Sequence, residues 1–262
     1  MGSRWLTVAE ARALRGVRLV LSVGVPGPWG EAAKGLLHVK GVPFHRVIQT
    51  PAQPNEELVA WTGASNAPQL VVDDEPPRDR FADLVLRAER LAPEPALIPA
   101  DPRERALLFG LLHELCGEDG FGWSRRLSSF APLMTLPPEH PGRRFVQPMA
   151  DRYGWSDAAA QRAPARAAEV VRLFAEQLAA QQARGREYLL GDALSALDVY
   201  WAAFAALIAP LPEELCPMPA AFRASYMTSD PLLLAAVTPE LLVHRDRVYR
   251  RHLELPVDLG PR

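Results

Sequence analysis

A chain of 262 residues, 48% hydrophobic and 23% charged, has the composition of a globular protein with apolar mass for two modest cores, which excludes disorder as its main character. A formal charge of −2 gives no basic excess to attract nucleic acid or an anionic membrane surface. The most apolar run, residues 199–208, is too short at about ten residues to cross a bilayer, so no membrane partner is expected.

In chain order, the opening MGSRWLTVAEAR lacks the apolar core of a secretion signal, and Leu6 stands where a myristoylation signal has Ser or Thr. The expectation is a cytoplasmic protein. Helical spacing of Leu6, Ala9, Ala13 and Leu14 predicts a short leading helix over 5–15. The β-branched and leucine-rich run 17–23 predicts the first strand, ended by Gly24, Pro26, Gly27, Pro28 and Gly30. The next helix carries Ala33, Leu36 and Leu37, with Gly35 suited to close packing on a sheet, and Gly41 and Pro43 stop it. A strand, a tight turn and a helix N-terminus leave backbone N–H groups and the positive end of a helix dipole facing solvent, where an anion or thiolate is stabilised. Residues 27–31 are therefore the first place to expect a chemical site.

Residues 43–49 alternate as a second strand, 54–61 begin with Pro and acids as a helix does, and 67–72 read as a third strand opening at Pro68. Pro76 and Pro77 limit any strand that follows to a short edge, and 81–91 are amphipathic and helical, with Asp79 placed to cap them. Beyond the prolines of 93–102 the period-2 signal disappears, which places a domain boundary near residue 97 and gives domains 1–96 and 97–262. The second half is helical. Stretches 103–115, 143–153 and 164–183 show three-and-four spacing, and 195–208 are apolar on nearly every face, as in a helix surrounded by others. Ser195 and Asp198 open that helix in capping-box spacing, and 239–253 read as a closing surface helix with a solvated basic face. Cys116 and Cys216 are too few for a disulfide framework and lack metal-ligand spacing, so reduced buried thiols and no metal are expected. His38 and His45 lack a third partner at metal spacing.

The β-α-β-α-β order, the segment Ala67-Pro68-Gln69-Leu70, and Gly191-Asp192 with Ser195 and Asp198 together resemble the glutathione S-transferase superfamily over most of the chain. The resemblance implies a thioredoxin-like α/β domain followed by an all-helical bundle. It implies glutathione as substrate or cosubstrate on the first domain, a small apolar electrophile between the two, and a homodimer. It also implies a cis bond at Pro68, which turns the N–H and C=O of Ala67 outward toward an extended peptide such as glutathione.

At the catalytic position the chain departs from the family. Gly27-Pro28-Trp29-Gly30 has Gly where thioredoxin-like relatives carry Cys at one or both ends, so redox chemistry by a protein cysteine in this turn is excluded. Ser22 has two readings, thiolate donor or strand packing, and the N–H groups of residues 29–31 offer stabilisation without a side chain. Trp29 reads equally as a pocket wall or as a cover for the sheet edge. Arg78 and Arg80 stand where the family holds a ligand carboxylate, against the alternative of a solvated turn, and Asp79 shares that segment. His113, Glu114 and Trp123 are candidate acceptor-pocket residues, against helix surface for the first two and core for the last. The leading expectation is a glutathione-transferase-like protein presenting the glutathione thiolate to an electrophile. The alternatives are a non-catalytic binding module on the same scaffold and a glutathione-dependent lyase or isomerase.

Overall fold

The computed structural model describes residues 4–261, so Met1, Gly2 and Ser3 of the leading segment lie outside the described residues. The sheet-bearing half runs β1 (Trp5–Leu6), α1 (Val8–Arg12), β2 (Val17–Ser22), α2 (Pro28–Val39), β3 (His45–Gln49), α3 (Glu56–Thr62), β4 (Gln69–Val72) and α4 (Phe81–Leu91). The four strands lie in the order β1-β3-β2-β4, with β2 parallel to β3 and antiparallel to β4. The leading segment is not one helix. Trp5 and Leu6 pair with Arg46 and Val47, and Thr7 then caps a five-residue α1 through a capping box with Glu10, so edge pairing overrides helical spacing there.

The helical half comprises α5 (Pro102–Cys116), α6 (Phe121–Met134), α7 (Pro141–Arg152), α8 (Asp157–Gln182), α9 (Ala196–Phe204), α10 (Ala220–Tyr226), α11 (Pro231–Ala236) and α12 (Pro239–His252). Every residue of α9 is buried, and Trp201, Tyr200 and Phe204 are among the largest buried side chains. Removing each such side chain from water contributes about 1.5–3 kcal/mol, which explains why this helix forms the centre of the bundle.

Helix α2 joins the two halves. Its Ala33 and Leu37 pack with Leu19, Leu21 and Leu70 of the sheet, while Ala32 and Leu36 belong to the core built by α5, α8 and α9. Gly35 faces α9 rather than the sheet. A Cβ there would stand 2.8 Å from Val199 Cγ1 and 3.1 Å from Leu253 Cδ2, so the close approach expected of this glycine is made to the helical half.

Helix α12 is likewise not a solvated surface helix, because its Leu241, His244, Val248 and Tyr249 are buried. After it the chain returns to the sheet. Gly24 N–H donates to Leu259 O at 2.8 Å, Lys34 Nζ to Asp258 O at 3.0 Å, and Arg46 pairs with Glu254 at 2.6 Å. The C-terminal residues thus fasten the turn that follows β2.

Candidate functional site

The turn after β2 is set by backbone geometry. Gly24 has φ +77°, which favours glycine, and Gly27 N–H folds back onto Val25 O at 2.9 Å before acting as the N-cap of α2. Pro28 has no N–H, and Glu31 N–H donates to Gly27 O at 2.9 Å. Of the N–H groups at 29–31, those of Trp29 and Gly30 therefore remain, and among the described residues neither has an acceptor. The expected trio is a pair. Glu31 would oppose an anion here by its charge, but it is buried beside Lys34 at 2.8 Å, and burial pushes its carboxyl above the usual carboxylate range.

Ser22 lies beneath this turn, because a Cβ on Gly27 would sit 3.9 Å from Ser22 Cβ. Its hydroxyl donates to Gln49 Oε1 at 2.6 Å, and Gln49 Nε2 donates to Thr50 O at 3.1 Å and Ser65 O at 3.2 Å. The Ser22 proton is thus spent inside the fold. The same chain of bonds ties the ends of β2 and β3 to the loop before β4, gathering the turn and the 65–68 segment at one end of the sheet.

The Ala67–Pro68 bond is cis, Pro68 is buried and Ala67 is half-buried. Among the described residues the N–H and C=O of Ala67 have no backbone partner outside the strand ladders. Further along, the edge of β4 is not open. Leu70 N–H donates to Arg78 O at 2.8 Å and Arg78 N–H to Leu70 O at 2.9 Å, forming the short edge that Pro76 and Pro77 allow. The bridge leaves the backbone at the start of β4 uncovered.

The expected cap of α4 is corrected. Arg80, not Asp79, is its N-cap residue, with extended backbone and no side-chain cap bond, while Arg78, Asp79 and Arg80 are all exposed. From the Leu70–Arg78 bridge the chain runs antiparallel to β4, toward the start of β4, over the two residues before α4 begins at Phe81. The uncapped N-terminus of α4 thus opens at the same end of the sheet as that of α2, and two helix dipoles point their positive ends there. No sequence signal marked this, because Asp79 matches the usual N-cap preference.

On the helical side, Trp29 joins the two halves. Its Nε1 donates to Cys116 O at 2.9 Å, and its ring meets Phe204 edge-on at 4.9 Å and Tyr153 at 6.1 Å. It does not cover a sheet edge. Trp123 Nε1 donates to Tyr153 O at 2.9 Å, with the two rings 4.6 Å apart. Tyr153 also approaches Phe130 at 5.9 Å, and its hydroxyl faces the guanidinium of Arg126. His113 is exposed and 6.2 Å from Phe81, the first residue of α4, whereas Glu114 is held by Arg166 of α8 at 2.6 Å. Of the acceptor-pocket candidates, Trp123 therefore lies in the aromatic cluster with Trp29 and Glu114 is engaged elsewhere. Arg126 and Tyr153 carry the polarity of that cluster.

Both cysteines are free and buried. Burial raises the Cys116 thiol well above its usual range and pushes Cys216 up to about 11, so neither supplies a thiolate. Among the described residues no group of three His, Cys, Asp or Glu is placed to hold a metal, and no helix is long and apolar enough to cross a membrane. A cavity of about 510 Å³ lies at the opposite end of the sheet, lined by Arg15, Arg18, Trp61 and Asp73, and includes none of the candidate residues.

No family model and no curated protein matches this chain. Solved structures do match in fold. A glutathione transferase family member from Pseudomonas fluorescens Pf-5, crystallised with two glutathione bound, is 13% identical with a TM-score of 0.61, over 93% of this chain and 94% of its own. A glutathione S-transferase from Methylobacterium radiotolerans, in complex with glutathione sulfonate, is 17% identical with a TM-score of 0.55, over 90% and 91% of the two chains. One from Methylobacillus flagellatus with glutathione bound is 13% identical with a TM-score of 0.58, over 90% and 96%. The chain thus has the glutathione transferase fold, a thioredoxin-like domain followed by a helical one.

Proposed function

We propose that this protein binds glutathione at the shared end of α2, β4 and α4, and presents its thiolate to an electrophile lodged against the Trp29–Tyr153 cluster. The observation that carries the reading is the pair of N–H groups on Trp29 and Gly30, left without acceptors at the start of a buried helix. Sulfur placed there gains two donors and the helix dipole, which favour the anion over the thiol. The free N–H and C=O of Ala67 suit the peptide backbone of glutathione, and the N-terminus of α4 with Arg78 and Arg80 suits a carboxylate. In conjugation the thiol gives its proton to solvent, the thiolate forms a bond to carbon, and the acceptor expels a leaving group or takes up a proton. On this reading residues 1–96 carry glutathione and 97–262 the acceptor side, in a cytoplasmic homodimer.

Calorimetric titration with millimolar glutathione tests the binding, and heat indistinguishable from dilution would sink it. One observation favours the second reading, a glutathione-binding protein without turnover. The Ser22 hydroxyl is committed to Gln49, so no side-chain donor is directed at sulfur. Glutathione binding without conjugation across a broad electrophile panel would establish that alternative.

A further inference from the structure

The aromatic cluster contains a positive charge that the proposed chemistry does not use. Arg126 lies one helical turn beyond Gly122 on the same face of α6, and Gly122 is the residue that meets Trp29, since a Cβ on it would be 3.0 Å from the indole. The spacing therefore places Arg126 on the Gly122 face of α6, next to Tyr153, whose ring lies 6.1 Å from that of Trp29. Its guanidinium carbon lies 5.6 Å from the centre of the Tyr226 ring, and the group faces the hydroxyls of Tyr153 and Tyr226.

Among the described residues no carboxylate forms an ion pair with Arg126. Its neighbour Arg125 adds charge of the same sign while donating Nε–H to Leu207 O at 3.0 Å. Burial pushes both tyrosine hydroxyls up, so they are neutral at pH 7 and do not balance the cation. Burial opposes its charge, but the hydroxyls of Tyr226 and Tyr153 raise its pKa above the ordinary guanidinium value, so Arg126 is a firmly held cation partnered by neutral hydroxyls, half of an ion pair. A planar carboxylate completes it, taking two parallel N–H bonds from the guanidinium.

We propose that Arg126, with Tyr153 and Tyr226, receives a carboxylate carried by the acceptor, so that the electrophile is an acid attached to a flat apolar body. This inference rests on the reading of the Trp29 side as the acceptor side, and it replaces the expectation of a purely apolar electrophile. Trp29 and Trp123 supply the aromatic surface for the body, and Arg126 fixes which end points inward.

The test compares phenylacetate with phenylacetamide, which match in shape and differ in charge, by calorimetry on the full chain without glutathione. The acid should bind about tenfold tighter or more than the amide, as expected for one charge-assisted bidentate pair. In Arg126→Met that ratio should collapse to about one, with folding checked by circular dichroism. Should that variant fail to fold, Arg126→Gln, which keeps the stem and a polar head for the tyrosines, is read in its place. Equal affinity for the two probes in the unaltered chain, no binding of either, or a full ratio retained in a folded variant overturns the proposal. Displacement of phenylacetate by glutathione also overturns it, since Arg126 would then belong to the glutathione side. Absent glutathione heat together with an intact acid-to-amide ratio would remove the glutathione reading and leave the carboxylate receptor standing.

Discussion

Two helix N-termini in this molecule are built in opposite ways. At α9 the capping carboxylate of Asp198 is fully buried. One oxygen accepts from Leu189 N–H at 2.8 Å and meets His244 Nε2 at 2.9 Å, and the other accepts from the Ser195 N–H at 2.9 Å and hydroxyl at 2.7 Å. At α2 the N-cap is Gly27, with no side chain, and the next two N–H groups go unanswered. The two helices pack on each other where Gly35 meets Val199, so the contrast is not one of distant environments. A side-chain cap contributes about 0.5–2 kcal/mol, and α2 forgoes it. Donors at the buried centre are satisfied internally, whereas donors at the cleft remain available to a ligand.

That contrast breaks most severely at Asp198. Asp198→Ala strips four partners of their acceptor in a site without water access, and should cost on the order of 3–5 kcal/mol. Chemical denaturation will show the midpoint collapse or the protein will fail to accumulate in folded form. A loss under about 1 kcal/mol would mean the network is not what holds α9. Next in size is the seam between the two helices. Gly35→Ala gains about 1 kcal/mol of helix propensity but forces a methyl against Val199 and Leu253, for an expected net loss of about 1–3 kcal/mol. Adding Val199→Ala should recover part of that loss in the same assay. No recovery would place the strain elsewhere.

The capped terminus was legible because Ser195 and Asp198 carry their chemistry in side chains at fixed spacing. The alternation of strands and helices over 17–72, the helix over 81–91 and the all-helical second half were legible for a similar reason, since hydrophobic periodicity is written in side chains. The bare termini were less so. Only the absence of Cys and the glycines pointed to α2, and at α4 the presence of Asp79 pointed to a cap that the backbone does not use. Long-range pairings had no local signature at all. Glu114 with Arg166, Ser22 with Gln49, and the return of residues 254–260 to the sheet are tertiary choices.

The uncapped turn can be probed without a ligand. A Cβ at Gly27 meets only ordinary contacts, 3.9 Å to Ser22 Cβ, and the residue has a negative φ of −58°, so Gly27→Cys fits the existing backbone. Its thiol would sit at the start of α2, and should titrate about one unit or more below the usual value of about 8.5. Alkylation by iodoacetamide as a function of pH reads this directly, because Cys116 and Cys216 are held protonated by burial and stay silent near neutrality. An apparent pKa of about 8.5 or higher would remove the turn as an anion site.

The smallest effect is expected at Ser22, and it separates backbone from side-chain stabilisation of sulfur. The Ser22 hydroxyl has one proton, and that proton points at Gln49 Oε1 at 2.6 Å, so giving it to a thiolate would cost a good internal bond. Ser22→Ala leaves Gln49 Oε1 without its donor, while the two bonds from Gln49 Nε2 to Thr50 and Ser65 persist. The loop before Pro68 therefore stays in place, and stability should fall by only about 0.5–1 kcal/mol in a denaturant titration. Glutathione affinity, measured by calorimetry on the same variant, should change less than about threefold, since the donors assigned to sulfur are the N–H groups of Trp29 and Gly30. A tenfold or greater loss of affinity with stability intact would mean that the hydroxyl turns away from Gln49 when the ligand arrives, and α2 would no longer be the example of a terminus that works through backbone alone.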